Sequence, residues 1–92
     1  MDEKILQSFE KDLKFCRDCT LLATKEAKGG NIHRARALLE VAMCMNLFIA
    51  APRDGLNVED VKPLAEAKKA NEMIMQRVHR YTIKKLKCEH IV

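Results

Sequence analysis

Three stretches of the 92-residue chain carry a helical rhythm of apolar positions, and two short polar stretches separate them. In the first, Leu6, Phe9, Leu13, Cys16, Thr20, Ala23 and Ala27 recur at alternating spacings of three and four, the seam of a packed helix. This predicts helix 1 from about residue 2 to residue 28. Asp2 and Glu3 in its first turn and Lys25 and Lys28 in its last suit the helix dipole. Phe15, Cys19 and Leu22 form a second, shorter stripe on another face.

The second stretch is more apolar. In ALLEVAMCMNLFIAA, residues 37–51, 13 of 15 positions are apolar, and only Glu40 and Asn46 interrupt them. Ala, Leu and Met dominate, which favours a helix over a strand. The run is too short for a membrane span, which needs about 20 apolar residues. Gly29 and Gly30 end the preceding helix, Asn31 is placed to cap the next, and Pro52 with the turn Arg53-Asp54-Gly55 closes it. Helix 2 is therefore expected over about residues 32–51. A surface helix shows one apolar stripe, whereas this one is apolar nearly all round. It is expected to be central in the protomer and also to face a second copy or a partner chain. Phe15, Leu22, Leu38, Val41, Met45 and Phe48 are the expected interface.

In the third stretch Leu64, Ala67, Asn71, Ile74, Val78 and Tyr81 repeat the pattern, and the stripe drifts toward Met75, Thr82 and Leu86. Asn57–Asp60 reads as a turn or a false start, with Asp60 as the cap and Pro63 tolerated in the first turn. Helix 3 is expected over about residues 61–87. Short connections make neighbours antiparallel. The fold class is all-α: a single helical domain, 1–92, of three long antiparallel helices running up, down and up, assembling into a homo-oligomer. At about 1.5 Å per residue, Met43 and Met45 fall level with Met73 and Met75, and Cys16 with Cys44. The methionines are read as core fillers, and Asn71 falls on the seam.

The segment GNIHRARALLEVAM resembles the second helix of a tetratricopeptide hairpin, with Gly30, Ala35 and Ala42 in the same relation. A solenoid needs about three repeats, and no second copy is visible. In length and helix number the chain is similar to microtubule-interacting-and-trafficking domains, which are also three-helix bundles, without a shared motif. Neither resemblance carries a site residue over.

Charge changes the picture more than composition does. The formal net charge is +4, from 17 Lys and Arg against 13 Asp and Glu. Lys25, Lys28, Arg34 and Arg36, with His33, surround the Gly29-Gly30 turn. Arg77, Arg80, Lys84, Lys85 and Lys87 occur in helix 3 without an intervening acid. Up-down-up topology brings both groups to one end, which gathers nine of the 17 cations. Asp2, Glu3, Asp54, Glu59, Asp60 and Glu66 gather toward the other. Arg34 and Arg36 oppose the dipole of helix 2, so dipole compensation does not account for them. The N–H groups of that first turn, flanked by cations, suit an anion. The expected binding residues are Lys25, Lys28, His33, Arg34, Arg36, Arg77, Arg80, Lys84 and Lys87. Their expected partner is a phosphate-bearing, nucleotide-like ligand or nucleic acid. The alternative is a protein-interaction module whose apolar face docks a helix of another protein, or whose cations meet an acidic surface.

Other chemistry is weaker. Cys16-Arg-Asp-Cys19 and Cys88-Glu-His90 have zinc-like spacing, but helix heights separate them by on the order of 25 to 30 Å within one protomer. None of His33, His79 and His90 has an adjacent Ser or Cys nucleophile, and no enzyme, cofactor or metal is expected. The helices are too long for a helix-turn-helix DNA reader. A single Tyr and no Trp argue against a stacking platform for single strands. The N-terminal sequence lacks a signal-peptide pattern. Reduced thiols and a cytoplasmic setting, away from membranes, are the expectation.

Overall fold

The computed structural model describes residues 2–90, with side chains as far as Cys88. Helix α1 spans Glu3–Lys28, α2 spans Ile32–Ala50, and α3 spans Lys62–His90, preceded by a single 3₁₀ turn, Val58–Asp60. No strand occurs among the described residues. The helices run up, down and up, as the short connections require. The expected boundaries lie within three residues of the observed ones.

Each junction has a local cause. Asp2 caps α1 by accepting from the Lys4 N–H at 2.9 Å. Gly30, at φ 86, occupies the left-handed position that ends α1. Around it the Gly30 N–H donates to the Ala27 carbonyl and the Asn31 N–H to the Glu26 carbonyl. Asn31 does not cap α2 with its side chain. Its amide instead donates to the Glu26 carboxylate at 2.8 Å, tying the turn back onto α1. At the other end, Asp54 and Gly55 both have positive φ, 49 and 80, and Arg53 and Leu56 exchange backbone hydrogen bonds across them. This is the tight turn that an Asp-Gly pair favours. Asp60 was expected to cap α3. It belongs instead to the 3₁₀ turn, where its carboxylate accepts from the Asn57 N–H at 3.0 Å.

The core follows the seam of α1: Phe9, Leu13, Cys16, Thr20, Ala23 and Ala27 are buried. Facing them are Ile32, Ala35, Leu39, Ala42 and Ile49 of α2, and Leu64, Asn71, Met75, Val78 and Thr82 of α3. Asn71 does lie in the seam. Its amide donates to the Leu13 carbonyl at 3.1 Å, a cross-helix bond that pins α3 to α1 in register. The drift of the α3 stripe begins earlier than its spacing suggests, so Tyr81 is exposed and Thr82 is buried. The methionine layer also differs from expectation. Met75 is buried and Met45 half-buried, but Met43 and Met73 are exposed, because equal height along a bundle does not place two residues on facing sides.

The bundle is slender, 55 × 17 × 16 Å, with a radius of gyration of 15.0 Å, against about 12 Å for a compact domain of this length. It exposes 6471 Å², about 1,000 Å² more than the roughly 5,400 Å² usual for a monomer of 10.5 kDa. No helix is enclosed, and α2 buries only one of its faces. Among the described residues, no helix is long and apolar enough to cross a membrane.

Candidate functional site

Two surfaces stand out: the outer apolar face of α1 and α2, and the basic end with the groove that leads into it.

The inner stripe of α2 leaves a second stripe opposite. Ala37, Val41, Cys44, Phe48 and Ala51 recur at spacings of four, three, four and three, and all five are exposed. Phe15 of α1 joins Val41, Cys44, Met45 and Phe48 around one shallow groove between the two helices. Phe15, Val41 and Phe48 are 47%, 45% and 60% exposed, and Leu22 extends the strip along α1. Leu38 and Met45 are half-buried and pack against the core, forming the floor. The six expected interface residues therefore share one face. Ala37 and Cys44 were not expected there, although the four-three spacing in the sequence marks them.

At the basic end the cations surround the bundle instead of converging. Lys28 and Arg77 flank a groove between α1 and α3, beside Tyr81. Arg80, Lys84 and Lys87 form a shelf on α3 with His79 and Ile83. Arg36 belongs to the same side: its guanidinium donates to His79 Nδ1 at 2.8 Å and to Thr82 Oγ1 at 3.4 Å. Arg34 sits about 160° away around α2, on the flank toward the apolar face. Lys25 and His33 are exposed near the turn. Among the described residues, the ion pairs lie elsewhere. Arg53 pairs with Asp12 at 2.7 Å, and Lys68 with Glu72 at 3.5 Å and Glu59 at 3.9 Å. The first turn of α2 contains no acid and receives no side-chain cap.

The groove between α2 and α3 runs into this shelf. About 440 Å³ in volume, it is lined by Met43, Asn46, Glu72, Met75, Gln76, His79 and Arg80. His79 and Arg80 belong to both groove and shelf. Asn46 donates to Glu72 at 3.4 Å, but its Oδ1 is buried without a hydrogen-bond partner. Such an orphaned acceptor is uncommon and calls for a donor. Asn46, Gln76 and His79 were not among the expected binding residues. Asn46 could have been noticed as one of only two polar interruptions in the apolar run.

The cysteines divide by position. Cys16 is in the core and its thiol donates to the Ala42 carbonyl at 3.4 Å. Burial pushes the Cys16 thiol above its ordinary value, outweighing the hydrogen bond with Thr20 that acts the other way. Burial also raises Cys19, helped by the negative charge of Asp18. Cys44 and Cys88 are exposed thiols. The His90 side chain lies outside the described residues. Among those described, no three His, Cys, Asp or Glu residues are grouped to hold a metal ion. No protein-family model matches this chain, and no curated protein or solved structure shows significant similarity to it.

Proposed function

We propose that the chain is a self-associating, non-enzymatic binding protein. Its ligand is nucleotide-like and phosphate-bearing, and lies along the α2–α3 groove with its phosphates on the basic shelf. One observation carries this reading: a largely apolar groove, with Asn46, Gln76 and the Lys68-paired Glu72 on its walls, opens directly onto Arg80, Lys84 and Lys87, which form no ion pair among the described residues. Met43 and Met75 offer soft apolar contact to a planar base. Gln76, on the groove wall, offers an amide to the edge of the base. Arg80, Lys84 and Lys87 meet the phosphates, and Arg36 holds His79 in place. A ligand pocket of this kind combines apolar lining with a few placed polar groups. Lys25, Lys28, Arg34 and Arg77 add attraction around the end without touching the ligand, and His33 lies among them.

Titration with adenosine triphosphate and, separately, with tripolyphosphate tests the reading by amide chemical shifts. The nucleotide should shift resonances of both Asn46 and Arg80, and the tripolyphosphate those of the shelf alone. Both should weaken as salt rises. Shifts scattered over every basic residue, or binding indifferent to salt, would count against it.

The outer α1–α2 face supports a second role, docking of another chain. The specific observation in its favour is the exposure of Phe15, Leu22, Val41 and Phe48 on one continuous face.

A further inference from the structure

We infer that the chain covering this face is a second copy of the protein, laid antiparallel along α2 with the two-fold axis beside Cys44. This rests on the self-association reading and supplies its geometry.

The spacing of the outer stripe comes first. Ala37, Val41, Cys44 and Phe48 follow the heptad rhythm by which one helix packs on another, Ala51 continues it at the cap of α2, and α2 carries this rhythm on the side away from its own core. A two-fold dimer uses the same patch on both copies. With the axis at Cys44, Ala37 of one copy lies level with Ala51 of the other, and Phe48 comes within one residue of the level of Val41. Small residues then face small residues at the ends of the seam. Aromatic and branched residues fill the layers between. Phe15 and Leu22 border the seam from α1 and close its edge.

Charge selects the direction. A parallel pair would place two basic ends together. In the antiparallel pair each basic end lies beside the acidic end of its partner. In this register Arg34 falls beside the C-terminal end of the partner's α2, at the acidic end of that copy. Arg34 opposes the dipole of its own helix and sits on this flank of α2, so an acidic neighbour on the second copy accounts for an arginine that the groove does not use. Surface area agrees. A stable interface removes about 800 Å² per partner. That is close to the excess surface of the single chain. The α2–α3 groove lies on the other side of α2 and stays open, so each dimer presents two basic shelves facing outward at opposite ends.

The test is cysteine crosslinking of the full chain, with Cys19→Ser and Cys88→Ser and the buried Cys16 kept. Sedimentation first gives the number of chains. Oxidation with diamide should then join two chains through Cys44, as mapped by peptide mass. With Cys44→Ser added, Ala37→Cys chains should crosslink when mixed with Ala51→Cys chains and not among themselves. Phe48→Lys should weaken association by at least about 30-fold, the loss expected for a central interface aromatic, while helicity is retained. Arg34→Asp should weaken it, because a carboxylate then faces the partner's acidic end. A dimer that fails to crosslink at Cys44, or Ala37→Cys chains that crosslink among themselves, would overturn the antiparallel geometry while leaving self-association intact. A monomer at all concentrations would overturn both.

Discussion

The two ends of the bundle are built differently. At the α2–α3 connection the polar groups satisfy one another. Arg53 donates to Ser8 and pairs with Asp12, while its guanidinium lies 4.4 Å from the Phe9 ring centre and 5.0 Å from that of Phe48. Asp60 closes the 3₁₀ turn, and Lys68 draws Glu59 and Glu72 together. At the α1–α2 turn the backbone is equally well closed, but among the described residues Lys25, Lys28, Arg34, Arg77 and Arg80 form no ion pair with a carboxylate. The first end spends its charges on holding the fold. The second keeps them at the surface, where they are available to something else. A charge with no internal partner adds little to stability and is tolerated there because water solvates it.

This contrast can be broken most forcefully at Arg53. Arg53→Ala removes a half-buried ion pair, a bond to Ser8 and two ring contacts, and leaves Asp12 uncompensated. It should cost about 3 kcal/mol in urea unfolding. A loss below about 1 kcal/mol would mean that this end is held by packing alone. The second test is at the opposite end. Arg80→Ser with Lys84→Ser should weaken nucleotide binding at least tenfold, or about 1.4 kcal/mol, and move stability by no more than about 0.5 kcal/mol. Titration calorimetry and urea melts on the same samples separate the two effects. Unaltered binding would remove the shelf from the account.

Arg36 sharpens the comparison, because its guanidinium has hydrogen bonds within the fold, to His79 and Thr82. Arg36→Ala should cost less than about 1 kcal/mol, since its partners are near the surface. It should also loosen His79, seen as broadening of the His79 ring resonances. Unchanged resonances would show that His79 is held by other contacts. The smallest expected effect concerns Cys16. Its folded-state thiol is raised above the unfolded value, so the unfolded chain gives up this proton at lower pH. The resulting stability is fully present below the ordinary thiol range and is lost as pH rises through that range toward the raised value. Urea midpoints should fall on that climb, and the fall should shrink with Cys16→Ala. An equal fall in the variant would assign it to other groups.

Much of the fold was legible because the main apolar stripe of α1 runs its whole length, while its second stripe is short. Its three-four spacing named every buried residue from Phe9 to Ala27. In α2 the same method finds too many candidates: with apolar residues on nearly every side, composition gives a helix but not which face meets α1. The inner and outer stripes separate only once Ile32, Ala35, Leu39, Ala42 and Ile49 are seen to be buried. Helix heights put Cys16 level with Cys44, and the structure bonds the Cys16 thiol to the carbonyl of Ala42, two residues before Cys44. They failed for Met43 and Met73, where rotation about the axis decides exposure. The gathering of cations at one end followed from topology and charge. Their distribution around that end did not, since Arg34 and Arg36 are two residues apart yet lie on opposite flanks. Arg53 gave no signal of its role, because a lone arginine in a turn says nothing of the two rings and the carboxylate that converge on it.

Native mass spectrometry of the protein purified from cells at low salt tests the central claim most directly, since it counts chains and retained ligand together. The account predicts an even number of chains carrying additional mass that matches a phosphate-bearing small molecule, released when salt is raised. Bare monomers, or multimers that never carry such mass even after incubation with nucleotide, would contradict it.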